Sequence, residues 1–283
     1  MTKDVIKINL RRSNEVSAQE HIPTKMTFEA FVAVYCNTIY VTGAGSNKDE
    51  IWKYNMASGW MKCASLVQGR RRHCAAFIDE ELYICGGYTD SNKSVLDSVE
   101  AYDAVTDKSS TVGKLFHRVR SSGNCVPYKS SLFIFGGSDE EDKEVNHVQV
   151  YNTKENTCSL LSRPMPHPYM LMRAAVWETS VILVGPNTCF IFNLETEKWQ
   201  EREKFKTDVV HFGLVLEDER IFVIGGGTYE TETDGRTTRK CRDDVRSVSL
   251  QSVIKKKPIE WKIHATLPKP SFVQACAKLG FTV

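Results

Sequence analysis

Short apolar runs that close on a pair of glycines recur along this chain. Residues 82–87 read LYICGG, residues 132–137 LFIFGG and residues 221–226 IFVIGG. Two looser copies keep the frame, IYVTGAG at 39–45 and VILVGPN at 181–187. Their first glycines, Gly43, Gly86, Gly136, Gly185 and Gly225, recur every 40 to 50 residues or so, roughly the spacing of propeller and solenoid repeats. Runs of four to six apolar residues suit strands covered on both faces. Such a strand cannot bury itself alone, whereas sheets repeated side by side bury one another.

The polar positions between the runs complete the unit. After each doublet and a variable loop comes a strand with an aromatic residue followed by Asn or Asp: IWKYN at 51–55, VEAYD at 99–103, VQVYN at 148–152 and CFIFN at 189–193. A Trp follows six or seven residues later at Trp60 and Trp199, and Trp261 falls in the equivalent strand of the fifth copy. Ser109 and Cys158 stand there in the second and third copies. Small-residue strands precede the doublets, HCAAFI at 73–78, RAAVW at 173–177 and FGLVL at 212–216. Glycine at the exit of an inner strand meets a turn with no room for a Cβ and a positive φ. The Trp and Tyr rings supply apolar area to fill the space between sheets.

Four short strands in this order resemble the Kelch repeat, and the resemblance covers essentially the whole chain. It implies an all-β fold, a six-bladed propeller of four-stranded antiparallel blades. The repeats span about 26–66, 70–115, 120–164, 170–205 and 209–267 within one domain, 1–283. The remaining ends predict a closing blade shared by both termini, from residues 4–20 and 271–283. DVIKIN at 4–9 and a polar strand near 15–19 read as its third and fourth strands, and SFVQACAK at 271–278 as its first. Its second strand is missing or reduced to 281–283. This reads as a fragment of a longer protein, the alternative being a natural propeller with one incomplete blade.

Composition narrows the class. The chain has 283 residues, 41% hydrophobic and 25% charged, as in an ordinary globule. A net charge of +2 gives no reason to invoke nucleic acid or a membrane surface as partner. No apolar run approaches the roughly 20 residues of a membrane span, and the first twenty residues lack the apolar core of a signal peptide. Nine cysteines, an odd number with no Cys-x-x-Cys pair, point to free thiols and a reducing setting, cytoplasmic or nuclear. Cys74, Cys85, Cys125 and Cys276 lie in apolar strands as small core residues. Cys241, beside Arg239, Lys240 and Arg242, reads either as an activated thiol or as an ordinary loop cysteine.

No catalytic constellation emerges: there is no Gly-x-Ser-x-Gly, no phosphate-binding loop and no His-Glu-x-x-His. Residues 225–227 close a strand and lead into TYETETDG, not a helix, so they are not a nucleotide loop. The seven histidines are scattered, with no ligand spacing for a metal. The expectation is a non-catalytic module without cofactor or metal. A metal-dependent propeller enzyme would need three histidines converging on the axis, as in some Kelch-family oxidases.

Function then falls to the loops on a rigid scaffold. Two sets should share one side, those after the doublets and those leading into each first strand. The lead-ins are cationic, GRRRH at 69–73, HRVRSS at 117–122 and MLMR at 170–173, with Lys206 and Lys269 before later strands. Alignment on the doublets sets Arg70 opposite Arg120. Arg70, Arg71, Arg72, Arg118, Arg120 and Arg173 are candidates for a cationic rim that takes carboxylates or phosphates of a partner; the plain alternative is solvated surface arginine. The segment 163–172, RPMPHPYMLM, adds Tyr169 and adaptable methionines, for which core filling is the rival explanation. The loop at 138–144 is acidic, SDEEDKE, and the long polar loop 228–242 carries Tyr229 and Arg239 and reads as a lid or a partner site.

Six blades with Arg near the first strand resemble the C-terminal propeller of BTB–Kelch proteins. That resemblance implies a protein-interaction module, the substrate-recognition domain of a cullin–RING ubiquitin ligase adaptor. The cullin contact and the homodimer would belong to BTB and BACK domains absent from this chain. A cytoskeletal or scaffolding Kelch module is the alternative. The altered doublets at 43–45 and 185–186 depart from the family pattern without disturbing the fold.

Overall fold

The structure is a computed structural model, and it describes residues 5–10, 16–19, 21–26, 29–120, 125–202, 205, 207–231, 236–271, 273 and 276. It is an all-β propeller assembly of four-stranded antiparallel blades, five of them among the described residues. The first holds Phe31–Tyr35, Thr38–Ala44, Glu50–Asn55 and Gly59–Lys62. The second holds Cys74–Ile78, Glu81–Cys85, Ser98–Asp103 and Lys108–Lys114. The third holds Cys125–Tyr128, Ser131–Phe135, Val148–Asn152 and Thr157–Leu160. The fourth holds Arg173–Trp177, Ser180–Val184, Cys189–Asn193 and Trp199–Glu201, the fifth Gly213–Glu217, Arg220–Ile224, Asp244–Ser249 and Lys262–Thr266. In every sheet the strands lie in sequence order. One short helix, Leu250–Ile254, follows the third strand of the fifth sheet.

The chain divides into two compact units. One contains the first three sheets, the other the fourth and fifth with the amino-terminal residues. Within the first unit the first strand of the second sheet lies beside the first strands of both neighbours. Tyr40, Ile51 and Leu66 meet Ala75, Leu82, Ile84 and Tyr102 across one sheet pair. Cys74, Tyr83 and Cys85 meet Cys125, Leu132, Ile134 and Tyr151 across the next. In the second unit Ile182, Val184 and Cys189 pack with Leu214, Ile221, Val223 and Val248. Each of these side chains reaches full or nearly full burial only through a neighbouring sheet, as the repeat requires.

The six-blade expectation is corrected to five four-stranded sheets among the described residues. Among the described residues Val5–Ile8 and Val16–Gln19 pair only with each other, and most of the expected strand at 271–278 lies outside the described residues. Ile8, Leu10 and Val16 instead pack, with Val273 and Cys276, onto the cluster of Val215, Phe222 and Val245 in the second unit. The Val273 N–H goes to the carbonyl of His211, in the lead-in of the fifth sheet. The expected strand at 281–283 lies outside the described residues.

The motif residues do local work. Asn55, Asp103, Asn152 and Asn193 each turn the chain after a third strand, their side-chain oxygens accepting backbone N–H groups two or three residues on. Tyr102 and Tyr151, fully buried, send their hydroxyls to Asp107 and Asn156 at the ends of those turns, 3.0 Å in each case. Trp60 packs at a tilt against Tyr54 and Trp199 against Phe192, with centroids 5.0 and 4.6 Å apart. All nine cysteines are free thiols.

Candidate partner-binding face

The doublets explain how the lead-in segments are placed. Gly86 has φ +61°, and a Cβ there would sit 2.5 Å from the Val119 carbonyl oxygen. Gly136 has φ +55°, and its Cβ would meet the Tyr169 carbonyl at 2.6 Å. The second glycine then donates its N–H to that same carbonyl, Gly87 to Val119 at 2.8 Å and Gly137 to Tyr169 at 2.9 Å. Two glycines are needed because the next lead-in crosses directly over the strand exit. One residue further along, the lead-in pairs with the segment after its own doublet: Arg71 with Tyr88, Arg120 with Ser138 and Val210 with Gly227. The two loop sets are thereby tied together.

These bridges set the register. Arg71, Arg120 and Val210 share one position, and Arg70, Val119 and Val209 the one before it. The earlier position is a core position: Arg70 and Val119 are 0% exposed and Val209 1%. The expected equivalence of Arg70 with Arg120 is therefore corrected. The hairpins of the second and third sheets keep one register against their doublets, Cys74 facing Cys85 and Cys125 facing Ile134. The bridge residue, however, stands one position further upstream in the third lead-in. One residue of slip exchanges the inner and outer sides of an extended segment.

Arg70 is a structural residue and not part of a rim. Its guanidinium pairs with Glu100, which is also 0% exposed. It donates further to the Gly86 carbonyl at 2.9 Å, the Ser98 carbonyl at 3.1 Å and Ser98 Oγ at 3.0 Å. Glu100 in turn accepts the N–H groups of Val67 and Gln68, at 2.8 and 3.0 Å. With every polar atom partnered, the desolvated charges are tolerated. His73 lies close by, its Nε2 2.7 Å from Thr42 Oγ1. Full burial, helped by the positive charge of Arg70, holds its pKa down at about 3.

The other candidate arginines of the first unit do lie on the loop face, but already matched to acids. Glu29 takes both Arg71 and Arg72. Arg71 also meets Asp90 at 3.0 Å, and Lys48 meets the other oxygen of Asp90 at 3.0 Å. The hydrogen bond from Lys48, the largest influence, outweighs desolvation and, joined by one from Arg71, holds the Asp90 carboxyl below the usual range. Arg118 pairs with Glu140 at 2.6 Å and Arg120 with Asp142 at 2.8 Å. Tyr88 stands between two of these cations, its ring centroid 4.8 Å from the Arg71 guanidinium and 5.4 Å from that of Arg120. The rim is thus a lattice of fixed, paired charges around one aromatic ring, not a field of single sign. Phe116 and Val67, 58% and 61% exposed, stand on the same lead-ins.

The remaining candidates lie apart from this group. Tyr169 holds the doublet of the third sheet by its carbonyl and occupies the core-side position of its lead-in. Arg173 is in a first strand and sends Nε to the Phe212 carbonyl at 3.2 Å; desolvation lowers its pKa. Tyr229 and Arg239 are cross-strand partners in a two-stranded ribbon, Gly227–Thr231 with Thr237–Cys241, their cation and ring 5.8 Å apart. The expected open loop at 228–242 is therefore largely paired strand. Lys206 lies outside the described residues. Among the described residues no group of three or more His, Cys, Asp or Glu is disposed to hold a metal ion.

Sequence reasoning missed Tyr88, whose only signal is an aromatic residue directly behind a doublet. It also missed a polar position in the third strand. Glu100, Gln149 and Arg246 occupy equivalent registers, facing Ile84, Ile134 and Val223. Each fastens the lead-in of its own sheet by its backbone. Gln149 accepts the His117 N–H at 2.7 Å and donates to the His117 carbonyl at 3.1 Å, and Arg246 donates to the Thr207 carbonyl. A charged residue inside an apolar strand, as in VEAYD, was the readable clue.

Comparison with known proteins agrees with this geometry. The family profile described as the KLHDC2/KLHL20/DRC7 Kelch-repeats domain matches residues 72–278. Mouse Kelch-like protein 35 is 28% identical over 193 residues, covering 67% of this chain and 33% of that protein. Kelch-like protein 25 of Xenopus tropicalis is 28% identical over 243 residues, 78% of this chain and 41% of that protein. Human Kelch-like protein 23 is 27% identical over 251 residues, 84% and 41%. The chain thus spans about a third to two fifths of the length of these relatives. A solved structure described as "Structure of YjhT" superposes with a TM-score of 0.73 at 13% identity, covering 88% of this chain and 87% of that one, a likeness of fold alone. Doublets crossed by the next lead-in, aromatic–Asx third strands and a matched profile over most of the length together establish that the chain belongs to the Kelch-repeat family, a protein-interaction module.

Proposed function

We propose that this chain is the substrate-recognition propeller of a BTB–Kelch adaptor for a cullin–RING ubiquitin ligase, and that it binds a protein segment on the loop face around Tyr88. The observation that carries the reading is the Arg71–Tyr88–Arg120 arrangement. A ring held between two guanidiniums, each fixed by an acid, loses little freedom when it receives a partner. Aromatic and Arg side chains with apolar neighbours such as Phe116 are the usual anchors of a protein interface. The Kelch-like relatives, more than twice as long as this chain, support a place within a larger adaptor, and the free cysteines fit a reducing, cytoplasmic setting.

The test is a partner captured by the natural-length protein and identified by cross-linking through the loop face. Its affinity should fall at least tenfold with Tyr88→Ala and with Arg71→Glu, at unchanged melting temperature. Its ubiquitination in a reconstituted cullin–RING reaction should fall in parallel. A partner bound equally by both variants would place recognition elsewhere, and one bound but never ubiquitinated would favour a scaffolding role.

A further inference from the structure

The acidic loop at 138–144 touches the very cations that a carboxylate-bearing partner would use. Glu140 reaches Arg118 and Asp142 reaches Arg120, acids two residues apart meeting arginines two residues apart. The match comes from the turn at residues 140–142, carried on the antiparallel Arg120–Ser138 bridge and closed by the Ser138–Glu144 bridge. The loop is built to hold this form. Asp139 Oδ1 accepts the N–H groups of Glu141 and Lys143, both at 2.9 Å, and the Asp139 N–H donates to the Lys143 carbonyl at 3.0 Å.

The loop is nevertheless a modest ligand. The Glu140 and Asp142 side chains are 56% and 60% exposed, and ion pairs so open to water contribute little. Arg120 is only 14% exposed, and its buried Nε–H has no acceptor while one Asp142 oxygen meets its terminal nitrogen. A carboxylate that forks onto Nε and the terminal nitrogen together would satisfy both donors.

We propose that residues 138–144 act as a competitor carried within the chain. They occupy Arg118 and Arg120 until a partner segment that forms a similar turn, with two carboxylates spaced two residues apart, displaces them. The idea rests on the partner-binding reading above, and its test is separate from that one because it needs no natural partner. The probe is a fluorescein-labelled synthetic peptide of the loop's own sequence, SDEEDKE, followed by anisotropy at low ionic strength. The protein is compared with its Glu140→Gln/Asp142→Asn double variant. The double variant should bind the peptide at least fivefold more tightly. The gain should vanish when Arg120→Gln is added, or when the peptide carries Gln and Asn at the same two acids. In parallel, phenylglyoxal labelling of Arg118 and Arg120, read by mass spectrometry, should run several-fold faster in the double variant. Equal labelling rates, or a peptide that binds the double variant no better than the parent, overturn the proposal.

Discussion

The second and third sheets receive their lead-ins in opposite ways. Arg70 and Arg120 stand at the same distance before their doublets. One is buried against Glu100 with every donor used; the other lies in the loop face over Tyr88. In the third sheet the buried position passes to Val119, and the fastening is neutral, through Gln149. The same backbone task is thus met once by a desolvated ion pair and once by an amide and an apolar side chain. An arginine in a repeat takes its meaning from the side of the strand it falls on, and a single extra residue decides that.

The largest effect expected from this contrast is on folding. Arg70→Met leaves Glu100 buried without its cation and should cost about 3–5 kcal/mol in urea unfolding. Arg120→Met, which removes only a half-solvated pair, should stay within about 1 kcal/mol of the parent. Two variants of similar stability would erase the distinction. A transplant sharpens it further. Val119→Arg alone places an unpaired charge in a core position and should cost roughly 3 kcal/mol. Adding Gln149→Glu should recover at least half of that loss, measured by melting temperature, and a double variant no better than the single one would show that the two sheets do not share a register.

The smallest effect is one of pH. His73, held at about 3 beside Arg70, is neutral when folded and protonates near 6.5 when unfolded. Its folded pKa is depressed, so its contribution is fully present above about pH 6.5 and is lost as pH falls towards 3. Between pH 6.5 and 5.5 the loss should be roughly 1 kcal/mol, and His73→Gln should remove that slope. An unchanged slope in the variant would mean that another group governs the acid limb.

What the sequence made legible was whatever is decided locally. A doublet at a strand exit, an Asn or Asp that turns the chain and a Tyr two residues inside a strand each depend on a few adjacent residues, so the sheets could be read. The lead-in register is not local. It depends on a bridge between segments that flank a hairpin, and counting back from the glycines misassigned Arg70. The rim was read as cationic because the arginines are clustered in sequence, whereas Glu29, Asp90, Glu140 and Asp142, which neutralise them, come from separate segments. The ribbon at 227–241 was read as a loop because both of its faces are polar. Blade number failed for a related reason: the amino-terminal strands were legible as strands, but the sheet they would join was not.

Glu100, Gln149 and Arg246 carry a consequence for how such a surface can change. An acid, an amide and a guanidinium are interchangeable parts here, because each grips peptide groups that every residue type possesses. The anchorage is therefore indifferent to what the gripped residues display outward. Val67, Phe116 and their neighbours can drift to new chemistry without loosening the scaffold beneath them, so that one framework can be rewritten for many partners while its foundations stay put.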